Sequence, residues 1–275
     1  MVGIGGAALL GVVRGWEASG QDGLEEFLSA LPAGSAAGGR VIEAFTRGKV
    51  ARGTPEAAMA WAESLPGRDD DNPLSSFKVD VIGRVAEVLV ESEPEKAAAW
   101  VARVRGDSAR VLLLMRVGMR WAKKDGAAAM RWLSTLPSNR DLPTAIQETY
   151  RSWYLKDPKA AGDWIRAATL EPWLDPAVAT YALQRSPDDI NESIEWANRV
   201  VDPHRREATL EKIAMVWIST APDDARAWMA RAPIQDETRQ RVEAYAAQRA
   251  KFPGAPPPLP RAPTPAAEPD EGPLE

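Results

Sequence analysis

The chain of 275 residues has no cysteine and a single histidine, His204. Without thiols there is no disulfide, no thiolate zinc site, no iron–sulfur cluster and no cysteine nucleophile. One imidazole cannot supply a two-His metal set, and a Ser-His-Asp triad would have to be built around His204 alone. Long apolar runs are missing as well: the longest, Val2 to Val13, is well short of the roughly 20 residues that span a membrane. Positive charge is not in excess. Lys and Arg number 34 against 39 Asp and Glu, a net charge of −5 that argues against a general nucleic-acid binder. The glycines of GIGGAALLG follow no strand, and no G-x-x-x-x-G-K-[ST] occurs, so a phosphate loop has no support. The remainder, 45% hydrophobic and 27% charged, is the composition of a globular chain with material for one large or two small domains.

Tryptophan, in contrast, is abundant at eleven residues, and it is periodic. Trp100, Trp132, Trp164, Trp196 and Trp228 stand 32 residues apart, and the series extends backwards through Trp61 and Phe27 with slightly different spacing. Three residues before each anchor comes Leu24, Ala58, Ala97, Ala129, Ala161, Ser193 or Ala225. Four after come Leu31, Leu65, Val104, Leu136, Ala168, Val200 and Ala232. Offsets of −3, 0 and +4 share one face of an α-helix. Pro55, Pro94, Pro158 and Pro222 precede their anchors by six residues, with Gly126 in that place once. Thr54 and Asp157 stand just before their prolines, as an N-cap stands before Pro at the first helical position. LSALP, AESLP and LSTLP then close the helix with Leu-Pro.

A second helix fills the rest of each period. Trp16, Leu89, Trp121, Trp153 and Trp217 fall five residues before the next start. Leu9, Ile82, Leu114, Ile146 and Leu210 lie seven before them, and Val12, Val85, Val117, Thr149 and Ile213 four before. Ten of the eleven Trp are thus placed by the repeat, and Trp173 is out of register. A helical hairpin cannot bury its own apolar faces, whereas stacked neighbours can. The expected fold is all-α: an α-solenoid of about seven stacked helix-turn-helix repeats in a right-handed superhelix. The copy around EPWLDPAVATYALQRSPDD predicts a kinked or shortened helix.

The steps DPKAAGDW (Asp157 to Trp164) and PDDARAW (Pro222 to Trp228) resemble the tetratricopeptide junction, in which Pro leads into an Ala-rich helix with Trp six residues on. The likeness covers only that part of each repeat. Where the tetratricopeptide pattern has Leu-Gly and a small residue late in the second helix, this chain has Leu-Pro and Trp, and its period is 32 rather than 34. The resemblance implies a divergent, tetratricopeptide-like helical hairpin and says little about a partner.

Residues 1–252 are expected to form the solenoid, with an incomplete first repeat and a capping helix over 235–251. Residues 4–17 align with the second helix of the repeat through Leu9, Val12 and Trp16. The competing reading is a truncated targeting segment or anchor, the one route by which a membrane would enter. Nine of the 23 prolines fall in 253–275, which predicts an extended or disordered Pro-rich tail, a passive linker or, through PPPLPR (Pro256 to Arg261), a ligand for an aromatic groove.

Chemistry-bearing residues are few. His204, in VDPHRRE, has no nucleophile or orienting carboxylate in a motif around it. Asp188–Asp189 and Asp223–Asp224 sit at helix starts, where Asp satisfies free amides. Asp69–Asp71 lacks the Gly and Glu of a calcium hand. No catalytic residue, metal ligand or cofactor is therefore predicted. Trp173, in a Pro-bounded loop, is either an exposed contact residue or the plug of an irregular repeat. Arg outnumbers Lys 25 to 9, and Arg68, Arg110, Arg140, Arg205 and Arg206 fall near one edge of the expected stack, where they would grip a partner's carboxylates or simply be solvated. Trp173, Arg140, Arg205 and Arg206 are thus the candidate binding residues. The expected function is a non-enzymatic scaffold that takes a protein or peptide in a concave groove lined by the Pro-started helices, in the cytoplasm or periplasm. The alternative is a carbohydrate-binding or carbohydrate-active α/α-toroid, in which paired acids would meet across a cleft.

Overall fold

A computed structural model describes residues 36–251, apart from 53–54, 65–76, 105–106 and 139–141, together with 11–13, 15, 16, 19, 23 and 27. Thr54, Arg68, Asp69–Asp71, Arg140 and the expected Pro-rich tail lie outside the described residues. Every regular element among those described is helical. Long helices are α1 (Ala36–Arg52), α3 (Phe77–Leu89), α5 (Asp107–Ala122), α7 (Leu142–Lys156), α9 (Asp175–Arg185), α11 (Pro203–Ile218) and α13 (Asp236–Lys251). Between them come the short helices α2 (Pro55–Ser64), α4 (Pro94–Val101), α6 (Gly126–Ser134), α8 (Pro158–Ala167), α10 (Ile190–Asn198) and α12 (Pro222–Met229). The chain divides into two compact units, Met1–Ile213 and Ala214–Glu275. No described helix is long and apolar enough to cross a membrane.

The 32-residue period is the period of one corner. The carbonyls of Leu89, Trp121, Trp153, Arg185 and Trp217 accept the amides of Glu93, Asp125, Asp157, Asp189 and Ala221, at 2.7 to 2.9 Å. Each of those five residues is the N-cap of the following short helix, in nearly the same backbone conformation, with φ between −135° and −146°. Their own carbonyls then accept the amides of Ala97, Ala129, Ala161, Ser193 and Ala225, at 3.0 to 3.1 Å. These are the small residues three before each anchor, and all five have no exposed surface. A larger side chain has no room there, in keeping with Ala or Ser at all five of these places. Asp125, Asp157 and Asp189 add a side-chain cap, accepting the amides of Ala128, Ala160 and Glu192 at 2.8 to 2.9 Å.

Across three of these corners the anchors meet eleven residues apart. Ring centroids lie 5.9 Å apart for Trp121 and Trp132, 5.5 Å for Trp153 and Trp164, and 5.9 Å for Trp217 and Trp228. Trp16, on a helical stretch, meets Phe27 in the same way at 5.5 Å, and Val13 beside it is buried. Residues 1–10 lie outside the described set. In the hairpin of α9 and α10 the eleven-before place is Arg185, so an aromatic one turn earlier substitutes: Tyr181 packs edge-on to Trp196 at 5.0 Å. Phe45 meets Trp61 edge-on at 5.2 Å in the same spirit. The irregular copy is shortened as its prolines predict. A 3-10 turn, Pro172–Leu174, leads into α9, whose eleven residues compare with thirteen to seventeen in the other long helices.

Candidate interaction face

Successive long helices α3, α5, α7 and α9 pack side by side, and each also packs on the short helices next to it in sequence. Glycine sets how closely they approach. A Cβ on Gly83 would come 2.6 Å from Arg116 Nη1, and one on Gly118 would strike the Thr149 hydroxyl. Polar catches then fix the register one repeat back. Ser152 Oγ donates to the Met119 carbonyl at 3.2 Å, the Lys156 ammonium donates to the Lys123 carbonyl, and Lys124 donates to the carbonyl of Glu91 at the end of α3. Lys124 and Lys156 occupy the same place in consecutive repeats, each three residues after its corner anchor. A cation at a helix C-terminus is favoured by the dipole and by the unpaired carbonyls there.

Outward from these catches runs a ladder of alternating charge across α1, α3 and α5. Arg47 holds Glu91 through both guanidinium nitrogens at 3.2 Å and Glu43 at 3.1 Å. Arg120 reaches the same Glu91 from the other side. Hydrogen bonds from Arg47 and then Arg120 hold the Glu91 carboxyl below its ordinary pKa. Arg116, the most enclosed member, donates to Glu87 at 3.0 Å and to Asp80 at 2.8 Å. Burial opposes its charge, but the two carboxylates outweigh that cost and its pKa is raised. A cleft of about 270 Å³ opens over this ladder, with Glu43, Arg47, Arg84, Glu87, Arg116 and Arg120 in its walls. A larger cleft of about 470 Å³ adjoins it between α5 and α7, sharing Met119, Lys123 and Ser152. Both clefts lie along the long helices, so the expected lining by the Pro-started short helices is not where these openings fall.

A second polar cluster closes the irregular hairpin. The Tyr181 hydroxyl donates to Glu192 at 2.7 Å, and Arg185 Nε donates to the same carboxylate at 2.7 Å. Burial, and then Glu192, push the Tyr181 phenol up to about 12. Glu192 is partly desolvated, which works against its charge, yet the donors from Tyr181 and Arg185 leave its pKa lowered. Nearby, the buried Asp175 at the head of α9 accepts the amides of Val201 at 2.9 Å and Asp202 at 2.7 Å, tying down the link before α11.

The sequence-predicted residues fall elsewhere. Trp173 is half-buried, and the fully buried side chain of its turn is the neighbouring Leu174. Arg206 is engaged at home, donating to the Val200 carbonyl at 2.9 Å, and the Arg205 amide is capped by Asp202 at 2.6 Å. His204 is exposed in the first turn of α11. Among the described residues no three His, Asp or Glu side chains gather where they could hold a metal ion. Sequence reasoning missed Lys123, Arg151 and Lys156; only for Lys156 was there a signal, its recurrence 32 residues after Lys124. Comparison with protein-family models, with curated proteins and with solved structures finds no match to this chain.

Proposed function

We propose that the hairpins stack as a right-handed α-solenoid of about seven tetratricopeptide-like repeats, and that the chain is a non-enzymatic scaffold for a protein or peptide. The observation that carries this reading is the pair of adjoining clefts on the long-helix side of the first unit, spanning α1 to α7. The recurring corner supports the repeat, and the backward catches at Lys124, Ser152 and Lys156 support stacking in one direction. Carboxylates in the clefts are committed to arginines: Glu43 to Arg47, Glu87 to Arg116, Glu148 to Arg151. That arrangement orders a recognition surface rather than freeing a carboxyl to hand over a proton, as the carbohydrate-enzyme alternative requires.

The test is a photo-crosslinking residue placed at Arg120, in the long-helix clefts, and at Lys159, exposed on short helix α8, in the full chain within its native host. Discrete protein adducts at Arg120 and none at Lys159 are expected. No adduct above background at either position, together with capture of the chain by oligosaccharides, refutes the scaffold and favours the carbohydrate reading. The stacking is tested by scattering: an open superhelix has a radius of gyration above roughly 18 Å, the compact value for about 250 residues.

A further inference from the structure

We infer that the cleft between α5 and α7 is a docking site for an acidic peptide segment carrying a bulky aliphatic anchor; the inference rests on the scaffold reading and names the chemistry of its partner. Leu155 has 65% of its surface exposed, on a helix whose opposite face buries Ile146, Tyr150 and Trp153. With Met119 it gives the cleft an apolar patch. A large aliphatic side chain so placed gains free energy only when something covers it.

The rim states what covers it. Lys123, Arg151 and Lys156 surround the patch, and the cleft's one carboxylate, Glu148, is already taken by Arg151 at 2.9 Å. Among the described residues no carboxylate pairs with Lys123, and Lys156 spends its ammonium on a neutral carbonyl. Two cations therefore flank an apolar patch with no anion of their own among the described residues, in a chain whose overall charge is −5. The complementary occupant carries carboxylates on either side of a Leu-type anchor, a pattern that an amphipathic helix presents at i, i+4 spacing. A basic segment is repelled by the same rim.

The experiment uses the full chain and three labelled synthetic peptides of equal length: a Glu-flanked helix with Leu at i and i+4, its Leu-to-Ala counterpart, and its Glu-to-Lys counterpart. Binding is followed by fluorescence anisotropy at low and at physiological salt. The acidic Leu peptide is expected to saturate and to weaken severalfold between the two salts. Both control peptides, and the variants Leu155→Asp and Lys123→Glu, are expected to bind at least tenfold more weakly. Both substitutions are at exposed positions, and unchanged circular dichroism confirms that the variants fold. Equal binding of acidic and basic peptides, binding insensitive to both variants, or no saturation overturns the inference. If the peptides fail while cross-linking at Arg120 still traps a protein, the scaffold stands and only this partner chemistry falls.

Discussion

Gly126 is where the repeat's own rule and the packed structure disagree, and the disagreement can be measured. Pro holds the equivalent place in α2, α4, α8 and α12, so the repeat pattern recommends Gly126→Pro. By the unfolded-state argument that change stabilises by about 0.4–1 kcal/mol, since Pro suits the first helical position. The structure says otherwise. The indole of Trp153 lies directly over Gly126, so that a Cβ would overlap its Cδ2, Cγ and Cε2. Trp153 has little room to retreat, being only 7% exposed and wedged against Trp164 at 5.5 Å and Tyr150 at 6.2 Å. Overfilling such a core costs about 1–3 kcal/mol, which outweighs the entropic gain. Gly126→Pro and Gly126→Ala are both expected to destabilise; for Pro the net cost after the entropic gain is at most about 2.6 kcal/mol, and at roughly 2–4 °C per kcal/mol the melting temperature falls by up to about 10 °C. The opposite preference holds one repeat on: Pro158→Gly, at an exposed position, is also destabilising, by about 0.4–1 kcal/mol, because Pro is the favoured residue there. Urea unfolding followed by circular dichroism reads all three without relying on tryptophan emission. In a Trp153→Leu background the Gly126→Ala penalty shrinks or reverses, the non-additivity expected of residues in contact. A Gly126→Pro variant with a higher midpoint than the parent refutes the argument.

Two further predictions concern the polar groups of the first unit. Asp175→Ala strands the amides of Val201 and Asp202 and should cost about 2–4 kcal/mol, with Asp175→Asn, which keeps one acceptor oxygen, losing about half; urea midpoints check both. Stability should also fall at both ends of the pH scale around α9 and α10. Glu192 has a lowered folded pKa, so its contribution is present above its ordinary 4.5 and is lost as pH falls through the folded value. Tyr181 has a raised one, so its contribution is present below 10.0 and is lost as pH rises towards about 12. Tyr181→Phe should therefore soften the drop in melting temperature between pH 8 and pH 11, and an unchanged drop would count against the Tyr181–Glu192 bond.

The corner was legible because it is built from residues that repeat at one spacing. The small residue before each anchor, the Pro or Asp at the helix start and the Trp eleven residues after Trp all answer to local backbone geometry, which sequence periodicity records. The long-helix face was not legible in that way. Lys156 meets Lys123, and Ser152 meets Met119, at an offset of 33 rather than 32, because the contact joins neighbouring helices and not equivalent positions. Arg116 depends on the missing side chain of Gly83, a residue that carries no motif. The arginines chosen near the loops were judged by charge alone, and Arg206 proves to be spent on holding its own turn.

The same geometry explains where a recognition surface is free to arise. Inside the corner the short helices bury Ala or Ser, or set Gly126 under the Trp153 indole, so a larger side chain there disturbs the packing. On the outward face of the long helices only the catches near the C-terminal ends are fixed. Between them the side chains are interchangeable as far as the fold is concerned, so Glu43, Arg47, Glu91 and Arg120 can form a ladder in one stretch while Leu155 stands uncovered beside Lys123 in the next. An exposed Leu at such a position is not required by the packing, and Leu155→Glu should leave the unfolding free energy measured in urea within about 0.5 kcal/mol of the parent, the range for surface changes. A large loss would mean that Leu155 belongs to the packing after all, and that the cleft is a by-product of the hairpin rather than a site.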